Sequence, residues 1–357
     1  MRTSLVLFGS LAAWAEPLRW TDLPPATAAL LQRSGIDEAS YDGWLVGRAE
    51  QNRTRLAAGS AEHITYYLLQ TKELGGGPPL RPTAEAQKYV ASLPNKDAFL
   101  RGAAGNGVFP AAVRDRMRLF WETPPTSPRH KVLRGMAERL GWPRNQVVET
   151  TFRFLARQAS GTEPDGLYQE RGFSADPYRP GMRSMEAGLT WLRTEGRDQW
   201  KTVLLAGPGA EFGSRFGLDD ALPILSPQAT ALRGLLGTIP IDCVDIRTEV
   251  TESLAQGPCR PATLDLAGER LPANRYDLAV ATNLLVYLDD AALGVAMANL
   301  ARSLRPGGCL LHNDPRFAAR LFGEAAGLPA LHFSSIRLGE RQGKEQLDRV
   351  VLHCREK

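Results

Sequence analysis

The sequence predicts an α/β protein: a mostly parallel sheet that ends in an antiparallel hairpin, preceded by an all-α domain. Three observations carry that prediction. After Trp200, short runs that are apolar on both faces alternate with helical patterns, as strands of a parallel sheet covered on both sides do. The last two strand-like runs, 331–338 and 347–354, are joined by 339–346, a link without room for a crossover helix, so they should pair antiparallel. From about residue 24 to 160 the apolar spacing is helical almost throughout, with loops rich in Gly and Pro.

A chain of 357 residues, 43% hydrophobic and 23% charged, has the apolar side chains for two cores and is neither disordered nor a disulfide-stapled miniature. The expected division is a helical domain over 16–160, a linker and lead-in helix over 161–198, and the sheet domain over 199–357. The net charge is only +4, with arginines interleaved among acids, so no basic stripe marks a phosphate footprint and nucleic acid is not an expected partner. No apolar run approaches the roughly 20 residues that span a bilayer, which argues against an integral membrane protein. The first fifteen residues carry Arg2, the run Leu5, Val6, Leu7, Phe8, and Ala13-Trp14-Ala15 before Glu16. They read either as a signal peptide or as an N-terminal element packed on the body. Cys243, Cys259, Cys309 and Cys354 are widely spaced, with no C-x-x-C and no His at a zinc-ligand interval. No metal site is expected, and buried free thiols are.

Within the helical half, Ser60 is the expected N-cap of a run through Tyr66, Tyr67 and Leu68, Ser127-Pro128 opens a second helix, and Pro143 a third. Phe120 and Trp121 recur at helical spacing and read as core. The stretch 161–180 is linker, and its polar cluster Tyr168 to Gly172 reads as a solvated loop or as a flap over a ligand. A helix follows around 185–192. Strands are expected at 202–206, 241–245, 262–265, 276–282 and 309–312. A helix over 289–304 carries Leu293, Met297, Leu300 and Leu304 on one face and is stopped by Pro306, Gly307 and Gly308.

The chemistry should sit where the first of these strands runs into Gly207-Pro208-Gly209, because a turn without Cβ atoms lets backbone come within contact distance of a ligand. In an open parallel sheet, ligands bind beyond the carboxyl ends of the strands. The second strand ends in Asp245, whose carboxylate can accept from a ribose diol, and the third in Asp265, which can accept from an adenine amino group. The fourth ends at Asn283. Each acid alone is as well explained by a helix N-cap; three positions in order after a glycine turn are harder to obtain by chance.

Over 200–357 the sequence resembles the class I S-adenosylmethionine-dependent methyltransferases. The resemblance rests on the glycine turn after Leu205, Asp245, Asp265 with Leu271-Pro272, Tyr276-Asp277-Leu278, the helix leading to Leu304-Arg305-Pro306-Gly307-Gly308, and the terminal hairpin. It implies a Rossmann-like methyltransferase sheet with S-adenosylmethionine as cofactor. Gly207 and Gly209 would approach the methionine part, Asp245 the ribose hydroxyls and Asp265 the adenine, while Asn283 and Tyr287 would line the methyl-transfer face. Two features depart from the family. Leu205 and Ala206 stand where an acid usually ends the first strand, with Glu211 as the substitute. The 36 residues from Gly209 to Asp245 exceed the roughly 20 of a compact unit. The extra residues, 214–227, are assigned to a loop over cofactor or substrate.

Methyl transfer is an in-line displacement in which alignment of nucleophile and methyl supplies most of the acceleration. A base is wanted only for a protonated amine or a hydroxyl, and His312, Asp314 and Tyr287 are the candidates. The acceptor itself is not legible; the helical half would shape its pocket or dock a partner. Two rival readings stand beside this one: a non-catalytic, methyltransferase-like binding or scaffold module, and a NAD-dependent oxidoreductase, which shares the strand, turn and acid. Chemotaxis-receptor glutamate methyltransferases resemble the chain more distantly, through their leading helical domain and fourth strand. The signal-like start points to export, dependence on S-adenosylmethionine to the cytoplasm.

Overall fold

The computed structural model describes residues 16–70, 111–125, 127–139, 181–209, 211–212, 224–255, 257–341 and 344–357. The signal-like segment, the helix expected at Pro143 and the polar cluster 168–172 lie outside them. The chain divides into two compact units, one of Met1–Gly47, Pro177–Pro208 and Pro227–Lys357, the other of Arg48–Asp176 and Gly209–Ser226. That division falls inside the expected 16–160 domain.

The described strands are β1 (Val203–Ala206), β2 (Glu211–Phe212), β3 (Ile224–Leu225), β4 (Ile241–Asp245), β5 (Arg260–Thr263), β6 (Tyr276–Ala281), β7 (Leu304–His312), β8 (Ala330–Arg341) and β9 (Lys344–Cys354). Seven form one sheet in the order β5-β4-β1-β6-β7-β9-β8. The first five run parallel, and β9 is antiparallel to both β7 and β8, which is the expected terminal hairpin. β1 and β4 are buried along their whole length, which is why they read as unbroken apolar runs instead of an alternation.

Helices cover both faces. On one, Leu293, Met297 and Leu300 of the helix Asp290–Ser303 pack with Leu30, Leu31 and Tyr41 from the N-terminal part of the chain against Leu204, Val244 and Ala279. Asp289 caps that helix by accepting from the Ala292 N–H at 2.9 Å. On the other face lies the helix Met182–Thr194, with Met185, Leu189 and Leu192 buried. Its Gly188 is needed for close approach, since a Cβ there would run into Leu311. At the amino edge, fully buried Asp242 is paired with Arg275 at 2.9 Å and Arg260 at 2.7 Å and accepts from the Tyr276 hydroxyl at 3.1 Å. Burial and that carboxylate keep the phenol protonated.

Several expectations need correction. The cysteines are not free: Cys243 bonds Cys259 with Cα atoms 5.9 Å apart, and Cys309 bonds Cys354 at 4.1 Å. Sequence spacing concealed this, because β4 lies beside β5 and Cys309 stands directly opposite Cys354 in the β7–β9 ladder. Ser60 is not a helix start, for the helix Glu38–Gln70 runs through it. β5 stops at Thr263, so Asp265 follows the strand instead of ending it. β7 begins at Leu304, not Cys309, because Leu304 already pairs with Tyr276 across an irregularity that takes up the Pro-Gly-Gly. The 214–227 segment is not all loop: Ile224–Leu225 pairs antiparallel with Glu211–Phe212, and Pro227 opens a helix to Leu236.

In the second unit, the Ser127 hydroxyl accepts from the His130 N–H at 3.0 Å and caps the helix Pro128–Arg139 as expected. Phe120 is buried there, stacked on His130 at 5.1 Å, and the Arg134 guanidinium lies over Trp121.

Candidate functional site

The carboxyl ends of β4, β1 and β6 form one edge of the sheet. Gly207 leaves β1 with φ 65°, a left-handed conformation that favours glycine, and its N–H donates to the Val244 carbonyl at 2.8 Å. A Cβ on Gly207 would lie 2.8 Å from Leu284 Cδ1, so the Leu284 side chain, from the turn after β6, packs directly on the backbone of the turn after β1. The acceptors beside this turn, the carboxylates of Asp245 and Asp265, fit the hydroxyl and amino donors of a nucleoside. Gly209 has φ 60°. It and Glu211 belong to the second compact unit, where Glu211 opens the β2–β3 ribbon.

Asp245 is the last residue of β4 and is buried. Its Oδ1 accepts from the Arg247 N–H at 2.9 Å, which fixes the carboxylate at the strand end. Its carbonyl accepts from the Leu264 N–H at 2.9 Å, bringing the segment after β5 alongside. Asp265 is oriented in the same way: Oδ1 accepts from the Ala267 N–H at 3.0 Å, and its own N–H donates to Glu269 Oε2 at 2.6 Å. The loop they introduce hangs on Asn299, fully buried in the helix behind it. That carboxamide accepts from the Leu271 N–H at 2.9 Å and donates to the carbonyls of Leu266 at 2.9 Å and Glu269 at 2.7 Å.

Asn283 follows β6 with φ 56°, a conformation that costs an L-residue about 1 kcal/mol and has to be held by its surroundings. Asn313 holds it twice, accepting from the Asn283 N–H at 2.7 Å and donating to its Oδ1 at 2.8 Å. The Asn283 side chain is thereby turned toward Gly181, where a Cβ would lie 2.6 Å from its Nδ2.

The three candidate bases are placed differently. His312 is fully buried, its Nδ1 accepts from the Asp314 N–H at 3.1 Å, and its ring stacks on His353 at 5.2 Å. Burial, and secondarily the neighbouring His353, push its pKa well below the usual imidazole range. Asp314 is gripped by Arg316, which donates to both carboxylate oxygens and also to the carbonyls of Leu288 at 2.8 Å and Leu285 at 2.6 Å. Arg316 thus ties the end of β7 to the turn Leu285–Tyr287. Tyr287 is half-exposed, and partial burial raises its phenol above the ordinary value.

Gly207, Asp245, Asp265 and Asn283 therefore line one sheet edge, while His312 is interior. Asn299, Asn313, Asp348 and Gly181 were not singled out by sequence. Asn299 had a signal, a lone amide in an apolar helical stripe; the others are joined across long separations that no local pattern reveals. Among the described residues no group of three or more His, Cys, Asp or Glu is arranged for a metal ion, and no helix is long and apolar enough to cross a membrane.

No family model matches the sequence, and no curated protein does. Solved structures that align with it include the N-methyltransferase NodS from Bradyrhizobium japonicum in complex with S-adenosylhomocysteine, at 16% identity and TM-score 0.38 over 53% of this chain and 98% of that one. A SAM-dependent methyltransferase from Methanosarcina mazei aligns at 14% identity and TM-score 0.33 over 43% and 92%. Magnesium protoporphyrin IX methyltransferase from Synechocystis, with bound SAM, aligns at 17% and 0.34 over 49% and 79%. Five parallel strands ordered β5-β4-β1-β6-β7, closed by β9 and β8 in antiparallel, give the C-terminal sheet the fold of the class I S-adenosylmethionine-dependent methyltransferases.

Proposed function

We propose that the sheet domain binds S-adenosylmethionine at the carboxyl edge of β4, β1 and β6 and transfers its methyl group to an acceptor by in-line displacement. One observation carries the reading. Gly207, Asp245, Asp265 and Asn283 stand in a row on that edge, where the β1 and β6 turns touch through Leu284 packed on Gly207. When bound, the cofactor supplies an electrophilic methyl on a positively charged sulfur. Asp245 then accepts from the ribose hydroxyls, and Asp265 and its Asn299-held loop flank the adenine. The turn at Gly207 accommodates the methionine part. Asn283 and Tyr287 border the transfer face. Tyr287, with its raised pKa, keeps its proton and acts as a donor, and buried His312 stays neutral in the interior. The reaction then rests on alignment more than on a base, which suits an acceptor that presents a lone pair at neutral pH.

Titrating the purified protein calorimetrically with S-adenosylmethionine, S-adenosylhomocysteine and NAD tests this. Binding of the first two without NAD is expected. Binding of NAD alone would make the domain an oxidoreductase, and binding of none would remove the nucleoside site.

A second reading is favoured by the two disulfides. All four cysteines are paired, as in proteins matured in an oxidising compartment, where S-adenosylmethionine made in the cytoplasm is not supplied. On that reading the protein is exported and the domain is a binding module without turnover. Binding without product formation across a panel of amine, hydroxyl and carboxylate acceptors would favour it.

A further inference from the structure

We propose that Asp348 is a positioning residue for the nucleoside site, acting through Asn313 to hold the turn after β6 in its left-handed form; this rests on the methyltransferase reading. Asp348 lies on β9, three residues short of Val351, the residue paired with the end of β7, so it projects past β7 at the same sheet edge as the site. It is buried, and four donors converge on it. Gly181 N–H reaches Oδ2 at 2.6 Å, Ser184 Oγ bonds the same oxygen, Asn313 Nδ2 reaches Oδ1 at 3.1 Å, and the Arg349 N–H reaches Oδ1 at 2.8 Å.

A carboxylate so surrounded, with no cationic side chain among those donors, acts as a fixed acceptor hub. Its placement fixes which way the Asn313 carboxamide points. With Nδ2 donating to Asp348, Oδ1 is the atom left to accept the Asn283 N–H, and the second Nδ2 hydrogen meets Asn283 Oδ1. Turning that amide over would set donor against donor at Asn283. The next residue, Leu284, is the side chain packed on Gly207. One line of contacts therefore runs from Asp348 through Asn313 and the 283–284 turn to the glycine at the centre of the site. Through Gly181 and Ser184 the same carboxylate anchors the first turn of the helix Met182–Thr194.

The test measures S-adenosylhomocysteine affinity calorimetrically, beside the melting temperature, for wild type, Asp348→Asn, Asn283→Gly, the double variant, and Asp242→Asn. Asp242 is an equally buried aspartate at the opposite sheet edge, so its variant should lose stability and keep wild-type affinity. Asp348→Asn should bind about tenfold more weakly, as expected for the loss of one or two hydrogen bonds to a charged acceptor. In the Asn283→Gly background, where glycine adopts the left-handed turn without help, the same change should have less than a twofold effect. A merely structural carboxylate would show no such dependence on residue 283. If Asp348→Asn does not fold, Asn313→Ala makes the same decision with Asp348 in place. Wild-type affinity in the folded Asp348→Asn or Asn313→Ala variant overturns the proposal and leaves the methyltransferase reading standing. Failure of the wild type to bind overturns both.

Discussion

Asp245 and Asp265 each commit one carboxylate oxygen to a backbone N–H two residues ahead, so both are oriented by the chain before any ligand arrives. Preorganisation of that kind makes a ribose contact worth its full hydrogen-bond strength. Asp245→Ala should weaken S-adenosylmethionine binding by about 10- to 150-fold, roughly 1.5–3 kcal/mol, with calorimetric affinity as the check. The stacked pair His312 and His353 makes a separate prediction. Burial depresses both pKa values below the ordinary 6.5, so the unfolded chain takes up protons before the folded one does. Their contribution is complete above pH 6.5 and is lost as the pH falls below it, by up to about 1.4 kcal/mol per pH unit for each ring that stays neutral. Urea midpoints measured between pH 8 and 5 should fall for the wild type and fall less for His312→Gln. The strand-end positions of Gly207, Asp245 and Asn283 were legible because strand ends and glycine turns are local patterns. Asn313 and Asp348 were not, since the bonds that give them meaning join residues 30 and 35 apart.

At the scale of elements, apolar runs located β1, β4 and β6 to within a residue, and the Leu293–Met297–Leu300 stripe located the helix behind them. The failures have a common physical cause. Ser60 can cap a helix and Gly59 before it favours a break, yet the helix Glu38–Gln70 continues through both. Pro306-Gly307-Gly308 ought to delay a strand, yet pairing of Leu304 with Tyr276 starts it early. Tertiary partners decided where local signals were evenly matched. The loop 264–271 shows the same dependence, because three of its backbone bonds end on a single side chain in another element. Asn299→Ala would leave two buried carbonyls and an N–H without that partner, and should destabilise the fold by about 2–3 kcal/mol in equilibrium unfolding.

For the whole molecule, the two covalent links staple opposite halves of one sheet, β4 to the segment before β5 and β7 to β9. They close loops of 16 and 45 residues, for which chain entropy gives about 3 and about 4 kcal/mol. Reductant should therefore lower the melting temperature markedly. The intact mass of protein isolated from its native source should be four hydrogens below that of the reduced chain, and finding it fully reduced would remove the second functional reading. The parallel sheet and its terminal hairpin could be read from the sequence; the staples could not, because partners 16 and 45 positions apart become neighbours only once the strands are aligned.

Residues 16–18 lie along the loop that follows Asp265: the Arg270 N–H reaches the Glu16 carbonyl at 2.8 Å, Pro17 bridges Glu269, and Leu18 N–H reaches the Gly268 carbonyl at 2.9 Å. A peptidase cutting after Ala15 would create a free ammonium on Glu16, the residue whose carboxylate the Arg270 guanidinium holds. Maturation of the chain at that bond would thus write a new positive charge onto the rim of the loop after Asp265, and under the proposed function unprocessed and trimmed forms should differ in their grip on a nucleoside.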